Sequence, residues 1–175
     1  MNLYFRMILV LLKSFFAKKI SPLTTSQVSF RVFPFDCDLN FHLTNSRYFS
    51  FMDLGRMHYI GKLKITSKVL KNKWIPVLAG SEATFIRQVR PFQKVTISTQ
   101  LLTWDEKYQY FYQRFTVNKK IVATALAKTA AFANGETVPS NKIVALVDGN
   151  IPAPPMPESV KLFRELGTHK RRLHG

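Results

Sequence analysis

The stretch FDCDLNFHLTNSRYFSFMDLGR, residues 35–56, decides the fold. Two aspartates, an asparagine and a histidine fall within seven residues, Asp36 to His42, and an apolar segment follows at once. Thr44 or Asn45 can cap a helix here, because a short polar side chain satisfies amide donors that the first turn leaves free. The spacing predicts a helix from about Ser46 to Ile60, with Gly61 as its stop. Tyr48, Phe49, Phe51, Met52, Leu54, Met57, Tyr59 and Ile60 make it apolar nearly all round. A helix of that kind lies inside a protein. The polar cluster therefore stands at the mouth of a buried helix.

Upstream, TSQVSFRVFPF alternates loosely and reads as a strand ending at Pro34. Downstream, KLKITSKVLKNK carries five lysines and no acid, and reads as a short surface helix or loop. Four strand-like runs follow: WIPVLAGSEATFIRQV, KVTISTQLLTW, KYQYFYQRFTV and IVATALAKTAAFA. WDEK, NKK and ANGE supply hairpin turns between or after them. KIVALV suggests one more short strand, PAPPMPE a stiff connector, ESVKLFREL a short amphipathic helix, and THKRRLHG a basic tail. The expected organisation is an amphipathic helix over 1–20, one α+β domain over 21–150, and a connector, helix and tail over 151–175.

One helix that is apolar all round cannot be covered by loops, so the sheet must curl around it. A single such unit leaves part of the helix and a sheet edge uncovered. Pairing with a second copy, as a homodimer or homotetramer, is the expected remedy.

The chain has 175 residues, 46% of them hydrophobic, enough for one folded domain with a substantial core. Its net charge of +16 favours anionic partners, whether phosphorylated cofactors, acidic proteins or anionic lipid. There is no zinc-finger spacing and no RNA-binding aromatic motif, which argues against nucleic acid. The single cysteine, Cys37, excludes an intrachain disulfide and suits a reducing, cytoplasmic compartment. Asp36 and Asp38 flank it and disfavour its thiolate. His42 has no ligand partner at useful spacing, so no metal site is expected.

The N-terminal MNLYFRMILVLLKSFFAKK is apolar and basic, and its longest uninterrupted apolar run is too short to span a bilayer. Asn2, Arg6 and Lys13 cluster on one helical face, with Leu3, Phe5, Leu9, Leu12, Phe15 and Phe16 around the rest. Such a helix either lies in an anionic membrane interface, holding the protein at the inner membrane face, or packs on the domain or a partner.

The motif DCDLNFHLTNSRY resembles the D-x-D-x-N-x-H-x-x-N-x-x-Y signature of hotdog-fold thioesterases. It is similar to the 4-hydroxybenzoyl-CoA thioesterase-like group, in which the second aspartate of the D-C-D element is catalytic. It also resembles the plant acyl-ACP thioesterases, whose D-x-N-x-H triple matches Asp38, Asn40 and His42. The chain as a whole looks most like bacterial acyl-CoA thioesterase-like proteins, with PFQ and WDEK in familiar places, over about residues 26 to 147. Thr44 stands where many relatives have asparagine, and Gln88 aligns with the glutamate that the plant enzymes use.

The resemblance implies a hotdog fold and hydrolysis of an acyl-CoA or acyl-ACP thioester without a cofactor. Asp38 would be the base or nucleophile, with Asn40 and His42 positioning water or thioester. The helix start at Asn45, Ser46 and Arg47 offers amide donors and the positive end of a dipole to a developing oxyanion. Tyr48 and Gln88 complete the expected substrate-binding set. The residues alone also allow a blander account, in which Asp36 and Asp38 shape and cap a turn. Asp53 is the rival carboxylate, although Arg56 at i+3 can pair with it, and His58 reads as structural. Two other activities stay open: a hotdog protein that binds acyl chains or a membrane partner without turnover, and a dehydratase-like enzyme.

Overall fold

The computed structural model describes residues 3–173; Met1, Asn2, His174 and Gly175 lie outside the described residues. The helix that the opening stretch predicts is α2, Asn45–Lys62, and it runs through the middle of the molecule. Five antiparallel strands curl around it: β1, Ser26–Arg31; β2, Ile75–Phe85; β3, Lys94–Trp104; β4, Gln109–Val117; and β5, Lys120–Ala133. Their order is β1-β3-β4-β5-β2, and a short β6, Glu136–Val138, pairs with β5. This is the α+β hotdog arrangement: a curled sheet wrapped around one long helix.

The register explains why the sheet holds α2. Val28 pairs with Ile97, Ile97 with Phe115, and Phe115 with Ala123. All four are buried, in one cluster with Phe51, Met52 and Leu54 of the helix. The turns follow from local chemistry. Asn118 and Lys119 have φ of 48° and 66°, as do Asn134 and Gly135 at 52° and 85°, the twist that two-residue hairpins need. At WDEK, Asp105 Oδ1 accepts from the amides of Lys107 and Tyr108 at 3.0 and 2.7 Å.

Beside the sheet stand α1, Leu3–Phe16; α3, Thr66–Lys71; α4, Ser140–Asp148; and α5, Glu158–Arg172. Three expectations are corrected here. KIVALV is not a strand but most of α4, whose Val144 and Val147 pack with Tyr59 and Leu63. A short apolar run fits either period, and tertiary packing chose the helix. The basic tail is not separate either, since α5 continues through Arg172. Gly61 does not stop α2, which runs on to Lys62 with Leu63 as its cap.

The two glycines of α2 are contact points. A Cβ on Gly55 would lie 2.8 Å from Gln113 Nε2 and 2.9 Å from Thr99 Oγ1, so the helix can lie this close to the sheet only without one. A Cβ on Gly61 would lie 2.5 Å from the Ser14 Cβ of α1. Gly61→Ala is therefore expected to destabilise the fold by roughly 1–3 kcal/mol through overpacking. Adding Ser14→Gly should restore much of it. Urea unfolding of the two single variants and the double variant checks this coupling.

Candidate active site

The loop between β1 and α2 is built around Asp36. It is fully buried and closes a short 3-10 turn, Pro34–Asp36. Arg6 of α1 grips both its oxygens: Nη1 donates to Oδ1 at 2.8 Å and Nη2 to Oδ2 at 2.5 Å. The Phe33 amide donates to Oδ2 at 2.9 Å, and Arg47 Nε lies 3.4 Å from Oδ1. The Arg6 guanidinium also sits 4.8 Å from the Phe51 ring centroid. Asp36 is thus the anchor of the loop. Arg6, read from sequence as sharing one helical face with Asn2 and Lys13, points inward. Its partner lies 30 residues away, beyond the reach of any local pattern.

Beyond Asp36 the chain makes a tight excursion, closed by a bridge between Cys37 and Leu43. The Asp38 amide donates to the His42 carbonyl at 2.9 Å. Asp38 Oδ1 accepts from the amides of Asn40 at 2.9 Å and His42 at 3.1 Å. Its carboxylate is exposed, with the second oxygen free of hydrogen bonds among the described residues. The side chains of Asn40, exposed, and His42, half-buried, likewise have no hydrogen-bond partner there. Leu39 and Phe41 project from the loop, 99% and 66% exposed. The Leu43 amide donates to Val89 O at 2.8 Å, which brings Val89 and its exposed neighbour Gln88 against this loop.

Thr44 caps α2. Its oxygens take the amides of Arg47 and Tyr48, so the amides of Asn45 and Ser46 remain as the free donors of the first turn. The expected donor at Arg47 is thereby removed, and the Arg47 side chain leans on Asp36 instead. Ser46 Oγ lies 3.1 Å from Thr44 Oγ1. Tyr48 turns into the core, its ring packed on Phe85 and Phe115, and burial pushes its hydroxyl up to about 12. Burial foremost, then Asp36 and Asp38, raises the Cys37 thiol and keeps it from acting as a thiolate.

Asp53 and Arg56 do pair, and Arg56 Nη1 also donates to Gln113 Oε1 at 2.7 Å inside the core. Gln113 in turn donates to the Met52 carbonyl and to Thr99. Beside Asp53 and Arg56 opens an apolar cavity of about 330 Å³, lined among others by Tyr59, Leu63, Trp74, Leu101, Phe111 and Val144. Nothing in the sequence pattern marked it, because its walls come from α2, α3, α4 and the four strands β2 to β5. Of the lysine run, Lys64 donates to the Ser14 and Phe15 carbonyls and Lys68 to Leu146 O, so both hold helix ends. Among the described residues, no three His, Cys, Asp or Glu are grouped to hold a metal ion.

His58 is structural. Its Nδ1 lies 2.8 Å from Ser26 Oγ of β1. Burial, with the charges of Lys62 on α2 and Lys13 on α1, lowers it from 6.5 to about 4. Between these values the unfolded chain binds a proton there that the folded chain does not. Stability is therefore full above about pH 6.5 and falls as the pH drops toward 4. Thermal unfolding across that window should show the loss, and His58→Gln should flatten it.

A family model described as thioesterase-like superfamily matches residues 32–163. The chain belongs to the thioesterase-like superfamily. A probable thioesterase of Saccharomyces cerevisiae, YBR096W, is 38% identical over 100 residues, covering 55% of this chain and 42% of that protein. Protein THEM6 of Xenopus laevis is 28% identical over 129 residues, 74% of this chain and 62% of that one. The chain thus spans under two thirds of these superfamily relatives. Among solved structures, 4-hydroxybenzoyl-CoA thioesterase from Pseudomonas sp. strain CBS-3 superposes with a TM-score of 0.65 at 14% identity, covering 70% of this chain and 98% of that one. At that identity the likeness establishes the fold.

Proposed function

We propose that this chain hydrolyses acyl thioesters of coenzyme A or acyl carrier protein, with Asp38 as the base or nucleophile. The observation that carries this is the state of Asp38. One oxygen is pinned by two loop amides, while the other is unengaged among the described residues, on an exposed residue of the loop that leads into a helix start with two free donors. In the general-base route, Asp38 takes a proton from water as the water oxygen bonds to the carbonyl carbon. The Asn45 and Ser46 amides receive the oxyanion. The C–S bond then breaks, the sulfur takes the proton, and acid and free thiol leave. In the nucleophilic route the carboxylate attacks the carbonyl carbon and expels the thiolate, which leaves as free thiol after taking a proton from solvent. Water then cleaves the resulting anhydride to the free acid and the restored carboxylate. Asn40 and His42, with unengaged side chains on the same loop, would orient water or thioester, and Gln88 lies within the same neighbourhood.

The acyl chain would run along α2 into the apolar cavity. Asp53, at the cavity mouth, is eight residues from Asn45, roughly 12 Å along the helix axis. Only a long acyl group reaches that far from a thioester held at the loop. Ile60→Trp, which narrows the cavity, is expected to lower kcat/KM for long chains about 10-fold or more and to spare short ones. A second copy would complete the unit by covering β2. That strand is a sheet edge, and Ile75, Val77, Leu78 and Phe85 on it are exposed.

Thiol release from acyl-CoAs of increasing length, then from acyl-ACP, tests the proposal. Turnover on either establishes the hydrolase and chooses the carrier. The competing account is a hotdog protein that binds acyl chains without turnover. Gln88 favours it, as an amide where the plant enzymes that the motif resembles carry a glutamate. Binding without thiol release on both carriers would be its signature.

A further inference from the structure

Helix α1 is mounted with its charge inside and its grease outside. Arg6, Val10 and Ser14, four residues apart, are buried against the domain. The Arg6–Asp36 pair and the contact of Ser14 with Gly61 fix the helix against rolling. The opposite face carries Phe5, Ile8, Leu9, Leu12, Phe15 and Phe16, all exposed, with Phe15 and Phe16 at 73% and 81%. These positions recur every three or four residues, so they form one continuous stripe. No charged residue interrupts it. An exposed apolar stripe of this length marks a docking surface.

The charges around the stripe say what it docks on. Lys13 and Lys18 are exposed beside it and just beyond its end; Lys19, next to them, is tied to α4 through Val147 O at 2.8 Å and Asp148 at 3.5 Å. Lys64 closes the C-terminus of α1, donating to the Ser14 and Phe15 carbonyls at 2.8 and 2.6 Å, with its ammonium 5.9 Å from the Phe15 ring. No aspartate or glutamate precedes Asp36 in the chain. A second copy would bring this cationic rim against its own like, with no acid in the segment to answer it. The surface of an anionic bilayer complements both halves: acyl tails take the stripe and headgroups meet the lysines. The 14 residues of α1 span about 21 Å, short of the roughly 30 Å hydrocarbon core, and no helix among the described residues is long and apolar enough to cross a membrane.

We propose that α1 docks the protein, lying flat, on an anionic lipid surface through the Phe5–Phe16 stripe and its flanking lysines. This goes beyond the thioesterase reading and does not depend on turnover. Arg6 and Asp36 join the docked helix rigidly to the loop that carries Asp38, so the lipid-facing surface and that loop move as one body.

Sedimentation of the full chain with vesicles tests it, using phosphatidylcholine alone and phosphatidylcholine with about one third phosphatidylserine. The protein should pellet with the anionic vesicles, less so as salt rises. Phe15→Ser with Phe16→Ser should lower the partition coefficient at least about 10-fold, since burying each ring is worth roughly a factor of ten or more. Both rings are exposed, so the melting temperature should stay put; Phe5→Ser with Leu9→Ser provides a second, independent pair. Replacing Lys13 and Lys18 by glutamine should weaken the preference for anionic vesicles. Three results would overturn the proposal: no pelleting with anionic vesicles, equal pelleting with phosphatidylcholine alone, or a Phe15/Phe16 variant that binds vesicles normally but loses oligomer mass by light scattering. The last would make the stripe a protein–protein surface.

Discussion

Asp38→Asn should lower thioester turnover by about 10³-fold, within the range of roughly 10²–10⁴ that a positioned general base contributes, while leaving the fold intact. The two halves of that expectation rest on different oxygens. Oδ1 accepts from the Asn40 and His42 amides and shapes the loop, and the amide oxygen of an asparagine can accept both. The unengaged oxygen becomes an NH₂, which neither takes a proton from water nor attacks a carbonyl. The loss should fall on kcat, with substrate binding nearly unchanged. Asp38→Ala is the poorer probe, because it also removes two loop hydrogen bonds worth about 1 kcal/mol each.

Asp36→Asn, two residues upstream, should behave in the opposite way. It is expected to lose about 3–5 kcal/mol of stability, because it leaves the Arg6 guanidinium buried without its counter-charge. Arg6 Nε already lacks a hydrogen-bond partner among the described residues, so little is available to compensate. Since Asp36 also receives the Phe33 amide and faces Arg47, the loop and the docking of α1 should loosen together. Denaturant titration gives the size of the loss. Combining Asp36→Leu with Arg6→Met should recover most of it, since an apolar pair of similar volume replaces the ion pair without an orphaned charge.

These neighbouring aspartates show how far the sequence could be read. The stretch 35–56 announced its helix because α2 is apolar nearly all round and Thr44 caps it, two local facts. The strands were legible from their alternation and their turns, down to Asn118 and Asn134 at positive φ. Asp38, Asn40 and His42 stood out because they share one short loop. What escaped depended on distance along the chain. Helical periodicity grouped Arg6 with Asn2 and Lys13 and gave no sign that its partner is Asp36. Gly61 looked like a helix stop and is instead the place where Ser14 touches α2. KIVALV could pack in either period until Tyr59 and Leu63 selected a helix. The apolar cavity has walls from three helices and four strands, so no stretch of sequence contains it.

The central claim is that the loop before α2, rather than the acid on the helix, carries the chemistry. The measurement that tests it most directly is thiol release by the intact protein, Asp38→Asn and Asp53→Asn, side by side on the best acyl thioester, with binding of that thioester measured for each. The account predicts that Asp38→Asn binds and does not turn over, while Asp53→Asn, which removes the exposed partner of buried Arg56 but leaves Arg56 bonded to Gln113, stays active at some cost in stability. Turnover that survives Asp38→Asn and disappears with Asp53→Asn would contradict it and move the reaction onto the helix.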